Sequence, residues 1–229
     1  MATAKISKKA MAQDEFIEGV FDFGEWLEKN WKQVAIGIGV VIALVLAILG
    51  WRGMHESAVQ EANQLLASGM SAYAPAAGTD GQAAAPRYSE ALTSFEQAEK
   101  KGSGRIADVA RMFRGRTLIA LNRPAEAVPI LEGLTSNSHA GLAAEAKISL
   151  AEAVEATGNF DRAASLLQEV ASAGKDAAYP PEAAMLLLAS LRERQGKPDE
   201  AKKVYDDLIA KYPQSAFANE ARQRTGAAK

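Results

Sequence analysis

The arrangement of apolar and polar positions divides the chain into a leader, an uncharged stretch and a repeating array. Residues 33–51 carry no charge over 19 positions, and residues 34–49 are almost purely aliphatic. At the helical rise per residue this stretch spans about 28 Å, close to the hydrocarbon thickness of a bilayer. Lys29 and Lys32 flank one end and Arg52 the other, and Trp31 and Trp51 stand where interfacial aromatics belong. A secretory signal peptide has a short basic region, a shorter apolar core and a small-residue cleavage site. Here a long leader precedes the core and Trp51-Arg52 follows it. A buried core helix, the rival reading, seldom stays uncharged for so long. The pattern predicts one transmembrane helix over residues 33–51.

Orientation follows from the cations near that helix. Lys5, Lys8, Lys9, Lys29 and Lys32 precede it, whereas Arg52 is the only Lys or Arg between it and Arg87. The positive-inside rule places the N-terminus in the cytoplasm and the chain from about residue 52 outside. Ala35, Gly39, Ala43 and Ala47 recur every fourth position, either a ridge for close approach of a second membrane helix or the ordinary Ala and Gly content of such helices. In the leader, Phe16, Val20, Phe23 and Leu27 form a helical stripe with acidic residues opposite. A surface-lying membrane helix carries a basic polar face, so this stripe suits a protein partner or a plain extension of the anchor. With no proline before Pro75, a nearly continuous helix over residues 14–73 is open to the chain, with Gly50 and Gly53 as the sites for a bend.

Residues 74–86 (APAAGTDGQAAAP) read as a loop by composition. Beyond it the chain repeats. Ala91, Ala127, Ala163 and Ala201 are spaced by 36, 36 and 38 residues, and Phe95, Leu131, Leu167 and Tyr205 each follow four positions later. Twelve positions before the last three alanines stand Gly115, Ala151 and Ala189; five before stand Asn122, Gly158 and Gly196. A helical face at a fixed period is the mark of a solenoid of helix pairs. The small residues allow close crossing, and Asn or Gly suits a left-handed cap between helices.

Leu188-Ala189, Ala201-x3-Tyr205 and Pro213 match the tetratricopeptide repeat (TPR) pattern, and Leu150-Ala151 with Ala163-x3-Leu167 match it without the proline. Residues 108–213 therefore resemble a TPR array. Residues 87–100 continue it as the second helix of an earlier pair, whose first helix covers about residues 54–73. Residues 215–224 read as a capping helix. In TPR arrays the first helix of each pair lines a concave surface that takes peptides or partner segments. Carried over by register, the resemblance puts Val109, Met112, Arg116 and Ile119 there, then Glu145, Ile148, Glu152 and Glu155, then Leu186, Ser190 and Glu193. Apolar residues among alternating charges suit a polypeptide better than a small metabolite. The alternative is that Met112, Ile148 and Leu186 pack between helices. Arg111 and Arg114 fall where the pattern wants apolar residues; either that helix is rotated, with Ile106, Val109, Phe113 and Ala120 inward, or the arginines are paired.

Composition removes most chemistry. Across 229 residues the formal net charge is −2, which gives no general attraction to nucleic acid. Residues 100–123 hold seven Lys/Arg against one Asp, either a patch for an acidic partner or a solvated face, and the latter is preferred. The absence of cysteine excludes disulfides, thiolate metal sites and thiol nucleophiles. His55 and His139 are the only histidines, with no metal spacing around either, and no P-loop, GxGxxG, HExxH or GxSxG motif occurs. No catalytic residue, cofactor or metal site is expected, and no small-molecule substrate.

The whole arrangement narrows the resemblance further. An acidic leader (DEFIEGVFDFGEWLEKNWK), one uncleaved helix ending in Gly50-Trp51-Arg52 and an exported TPR region resemble the YfgM-like family of bacterial inner-membrane proteins. That resemblance implies an ancillary subunit of the SecYEG translocon, working with a periplasmic chaperone on emerging polypeptides. A structural accessory of another envelope complex (outer-membrane assembly, division or respiratory machinery) is the alternative. The expected organisation is an all-α chain: cytoplasmic leader 1–32, membrane helix 33–51, first exported helix and loop 52–86, and TPR-like antiparallel helix pairs with a cap, 87–229.

Overall fold

The computed structural model describes residues 8–77, 84–174 and 177–226, and of residues 8–25, 27 and 51–55 only the backbone. Among the described residues every regular element is a helix: α1 (Lys8–Ala77), α2 (Ala85–Lys101), α3 (Gly104–Ala120), α4 (Pro124–Glu132), α5 (Ala140–Ala156), α6 (Phe160–Ala171), α7 (Pro181–Arg194), α8 (Pro198–Lys211) and α9 (Ala216–Thr225). The chain divides into two compact units, Met1–Ser57 and Ala58–Lys229.

In the first unit, Glu28–Gly50 is long and apolar enough to cross a membrane, and none of it is buried. Ile36 is 67% exposed and Leu46 63%, which sets the segment apart from a core helix, where such side chains are hidden. Gly37, Gly39 and Gly50 have open space where a Cβ would stand. The backbone stays helical through Gly50 and Gly53. The side chains of the leader stripe Phe16, Val20, Phe23 and Leu27, and those of Trp51, Arg52 and His55, lie outside the described residues, as does Lys5.

The second unit is built by one turn used three times. Asn122, Gly158 and Gly196 adopt φ of +58°, +88° and +76°. The next N–H reaches back five residues in each case: Arg123 to the Leu118 carbonyl at 2.8 Å, Asn159 to Val154 at 2.9 Å and Lys197 to Arg192 at 2.9 Å. These bonds satisfy carbonyls that a helix end leaves open, and the left-handed residue they require is cheap for Gly and tolerated by Asn. The following helix starts at once. Pro124 and Pro198 supply a preset φ and lack an N–H that the first turn would leave unpaired, while Asn159 accepts from the Arg162 N–H at 3.2 Å.

Each helix from α2 to α8 packs on the next, and α3 also meets α5, as α7 meets α9. The anchor alanines Ala91, Ala127, Ala163 and Ala201 are buried, with Phe95, Leu131, Leu167 and Tyr205 packed beneath them. At Gly115 a Cβ would stand 2.6 Å from Leu131 Cδ2 and 2.7 Å from its Cγ, so the crossing of α3 and α4 is set by the absence of a side chain. Gly115→Val is expected to cost about 1–3 kcal/mol through overpacking, although valine is the better helix former. A lower urea midpoint by far-UV circular dichroism checks this. Gly69 plays the same part in the first pair, where an added Cβ would lie 2.6 Å from Phe95 Cε1.

Helix α1 continues to Ala77 and α2 begins at Ala85, so residues 74–77 and 85–86 are helical where composition reads loop; residues 78–83 lie outside the described set. Buried Ala72 and Ala76 tie the end of α1 down despite Pro75. Arg111 and Arg114 are paired and α3 keeps its repeat phase, with Met112, Gly115 and Leu118 buried. Glu99 accepts from Arg111 Nε at 3.0 Å and from Arg114 Nη1 at 2.9 Å; Arg114 Nε faces Glu96 at 3.6 Å. Desolvation pushes the Glu99 carboxyl up, but the two arginines outweigh it and hold its pKa below the usual value. Phe113 joins the core from its own side, stacked on Phe95 at 5.4 Å and edge-on to Tyr73 at 5.7 Å.

Candidate protein-binding groove

The first helices of the pairs, α3, α5 and α7, carry two hollows. The larger, about 680 Å³, is lined by Ile119 from α3, by Ile148, Ala151, Glu152, Glu155 and Ala156 from α5, by Phe160 and Leu167 from α6, and by Leu187 and Arg194 from α7. The second, about 570 Å³, includes Val109 and Met112 from α3 and Glu145 from α5, with Arg105 and His139 beside them. Glu145, Ile148, Glu152 and Glu155 therefore share one face of α5, as the 3.6-residue period dictates.

Charge alternates along this face. Glu155 accepts from Arg194 Nε at 2.5 Å and from Arg194 Nη2 at 2.9 Å, a bidentate pair. Arg116 Nη1 stands 4.0 Å from Glu145 Oε2, and Glu193 pairs with Arg224 at 3.3 Å. Desolvation raises the Tyr179 hydroxyl pKa, with Glu145 raising it further and Arg116 opposing. The same holds for Tyr73, where burial leads and Arg116 opposes.

Glu152 is exposed to solvent, yet the concave wall around it desolvates the carboxyl. Its pKa is raised, first by that desolvation and then by Glu155, against the opposing charges of Arg116 and Arg194. A carboxyl whose folded pKa lies above its unfolded value binds more protons when folded. Its penalty is absent below the ordinary carboxylate range and grows as pH rises through the raised value. Glu152→Gln should therefore melt at or above the parent at pH 7, and the difference should shrink towards zero near pH 4. Thermal melts across that range read the sign.

Of the residues expected on the groove by register, Ile119, Ile148, Glu152 and Glu155 line the larger hollow and Val109, Met112 and Glu145 the smaller. Met112 is 1% exposed, so it offers the hollow little surface. Leu186 packs partly buried against the cluster around Tyr205, and Ser190 neighbours the Tyr205 hydroxyl. Helix α7 turns Leu187 and Arg194 to the hollow instead. The hollow lies between neighbouring helices, so it uses the flank of α7 one residue round from the equivalent α5 positions. Tyr73, near the end of α1, and Tyr179, between α6 and α7, stand at no repeat offset that would mark them in the sequence.

Family models for the tetratricopeptide repeat match residues 114–183 and 183–215. Residues 114–215 are TPR repeats. The matched span takes in the end of α3, from Arg114 onward, and all of α4 to α8. The pair made by the end of α1 and α2 lies outside it, though Gly69 and Phe95 repeat the contact of Gly115 and Leu131. TPR domains act in general as non-enzymatic scaffolds for protein interaction, and the families matched are interaction repeats. No curated protein and no solved structure matches the chain.

Proposed function

We propose that this chain is a membrane-anchored, non-enzymatic scaffold that binds polypeptide on the concave face of its TPR array. The observation that carries this reading is the uncovered apolar hollow of Ile119, Ile148 and Leu187 among alternating charges, on a repeat domain that shares its chain with one membrane-length helix. Val109, Arg116, Glu145, Glu152 and Glu155 complete the groove, with Glu193 at its α7 edge, while Met112, Leu186 and Ser190 pack behind it. The distribution of lysine around the anchor supports a cytoplasmic N-terminus and a periplasmic TPR domain at the bacterial inner membrane. The resemblance to the YfgM-like family supports a place beside the Sec translocon, assisting periplasmic chaperones with emerging chains. Anchoring raises the effective concentration of the groove for neighbours in the same membrane. The ridge of Ala35, Gly39, Ala43 and Ala47 supplies a second contact, helix to helix.

Affinity purification in mild detergent, from cells carrying the native anchor or an unrelated one, tests both levels. Recovery of the Sec channel and a periplasmic chaperone, weakened by the foreign anchor, is the expected result. Recovery of an outer-membrane assembly, division or respiratory complex in their place would make the chain an accessory of that machine and overturn the Sec assignment. Undiminished recovery with the foreign anchor would reduce the membrane helix to a tether.

A further inference from the structure

The charges around the larger hollow do not balance. Arg194 is committed to both oxygens of Glu155. Arg116, the other cation acting on this face, stands 4.0 Å from Glu145 Oε2 and opposes the Glu152 charge without forming an ion pair with it. Among the described residues Glu152 has no hydrogen bond and no ion pair, although it stands in the same wall as Ile119, Ile148 and Leu187. Leu187 is 37% exposed, a large aliphatic side chain left open beside that carboxylate. An apolar floor with one unmatched carboxylate at its edge is complementary to an apolar side chain with a cation close by.

We infer that the hollow selects polypeptide segments in which a Lys or Arg stands within one turn of a bulky apolar residue, the apolar side chain seating against Ile148 and Leu187 and the cation pairing with Glu152. This rests on the reading of the concave face as a polypeptide-binding groove and adds the chemistry it prefers. The volume of about 680 Å³ lies within the range of ligand sites, and the charged pairs beyond the hollow, Arg116 with Glu145 and Glu193 with Arg224, continue the contact surface for an extended partner. The carboxyl's desolvation supports the same direction, because an entering cation compensates a charge that water solvates poorly there.

The test uses the full chain in detergent micelles and synthetic peptides on a Gly/Ser background. Each carries Leu or Phe and, one to four positions away, Lys, Gln or Glu. Fluorescence anisotropy gives the dissociation constants. The Lys peptides are expected to bind about tenfold more tightly than the Glu peptides, a ratio within reach of one partly desolvated charge pair. Glu152→Gln should collapse that preference, and Glu152→Lys should invert it, with helical content unchanged because Glu152 is exposed. Equal affinity for Lys, Gln and Glu peptides, with binding still lost in Leu187→Ser, would overturn the cation selectivity and leave the groove standing. Binding that ignores both the apolar residue and Leu187→Ser, or no binding above background, would overturn the groove reading as well.

Discussion

Phe95→Ala is expected to remove about 3–5 kcal/mol from the stability of the helix pair that opens the repeat domain. Phe95 is fully buried, stacks on Phe113 at 5.4 Å and meets Tyr73 edge-on at 6.4 Å. Gly69 exists opposite it only because the ring fills the space a Cβ would need. Truncation therefore opens a cavity between three helices that cannot close without moving the end of α1. In a solenoid each repeat leans on its neighbours, so the loss should appear first in α2 and the adjoining part of α1, and less in α7 to α9. Hydrogen exchange resolved by segment reads this. Tryptophan fluorescence would not, since Trp26, Trp31 and Trp51 all precede the repeat domain in sequence.

The second large effect concerns the groove. Leu187→Ser should lower recovery of the bound polypeptide by about tenfold, because burying a leucine side chain against a partner is worth about 1.5–3 kcal/mol and tenfold in affinity needs about 1.4. The substitution should barely change stability, as Leu187 is the most open of the large apolar side chains in α7. Quantitative mass spectrometry of partners recovered with the parent and the variant measures the ratio. Lys203→Ser, on an exposed position of α8, should recover as much as the parent.

Much of the fold was legible because a few backbone demands recur in the sequence. Asn122, Gly158 and Gly196 stand at the same offset from their alanines, and all three adopt the left-handed conformation that such residues accommodate. Gly115 announced a close crossing, and the crossing with Leu131 is there. Gly69 stands at a different offset, because the connection between α1 and α2 is longer, though the contact it makes is the same. The arginines at 111 and 114 left two arrangements open, since periodicity registers a charge in an inward position but not the partner that offsets it. Glu99 is that partner, held on the neighbouring helix.

The lining of the hollows was legible along α5, where one helix face is read directly from its period. It was less so on α7, where Leu187 and Arg194 stand one residue round from Leu186, Ser190 and Glu193. Sequence register gives the face of each helix in its own frame, whereas a hollow between helices depends on how successive frames turn against each other. The imbalance at Glu152 is likewise a property of distances: Glu145, Glu152 and Glu155 look alike in the sequence, but Arg116 and Arg194 stand within ion-pair distance of Glu145 and Glu155 and not of Glu152.

The most direct test of the concave face as the binding surface is photocrosslinking in living cells. A photoreactive residue is placed in turn at Leu187 and Glu145 in the hollows, and at Lys203 and Asp206 on the exposed side of α8. Protein adducts several times more abundant at Leu187 and Glu145 than at Lys203 and Asp206 are the predicted result. Adducts as abundant at the α8 positions, or confined to them, would contradict the concave face as the place where this protein binds its partners.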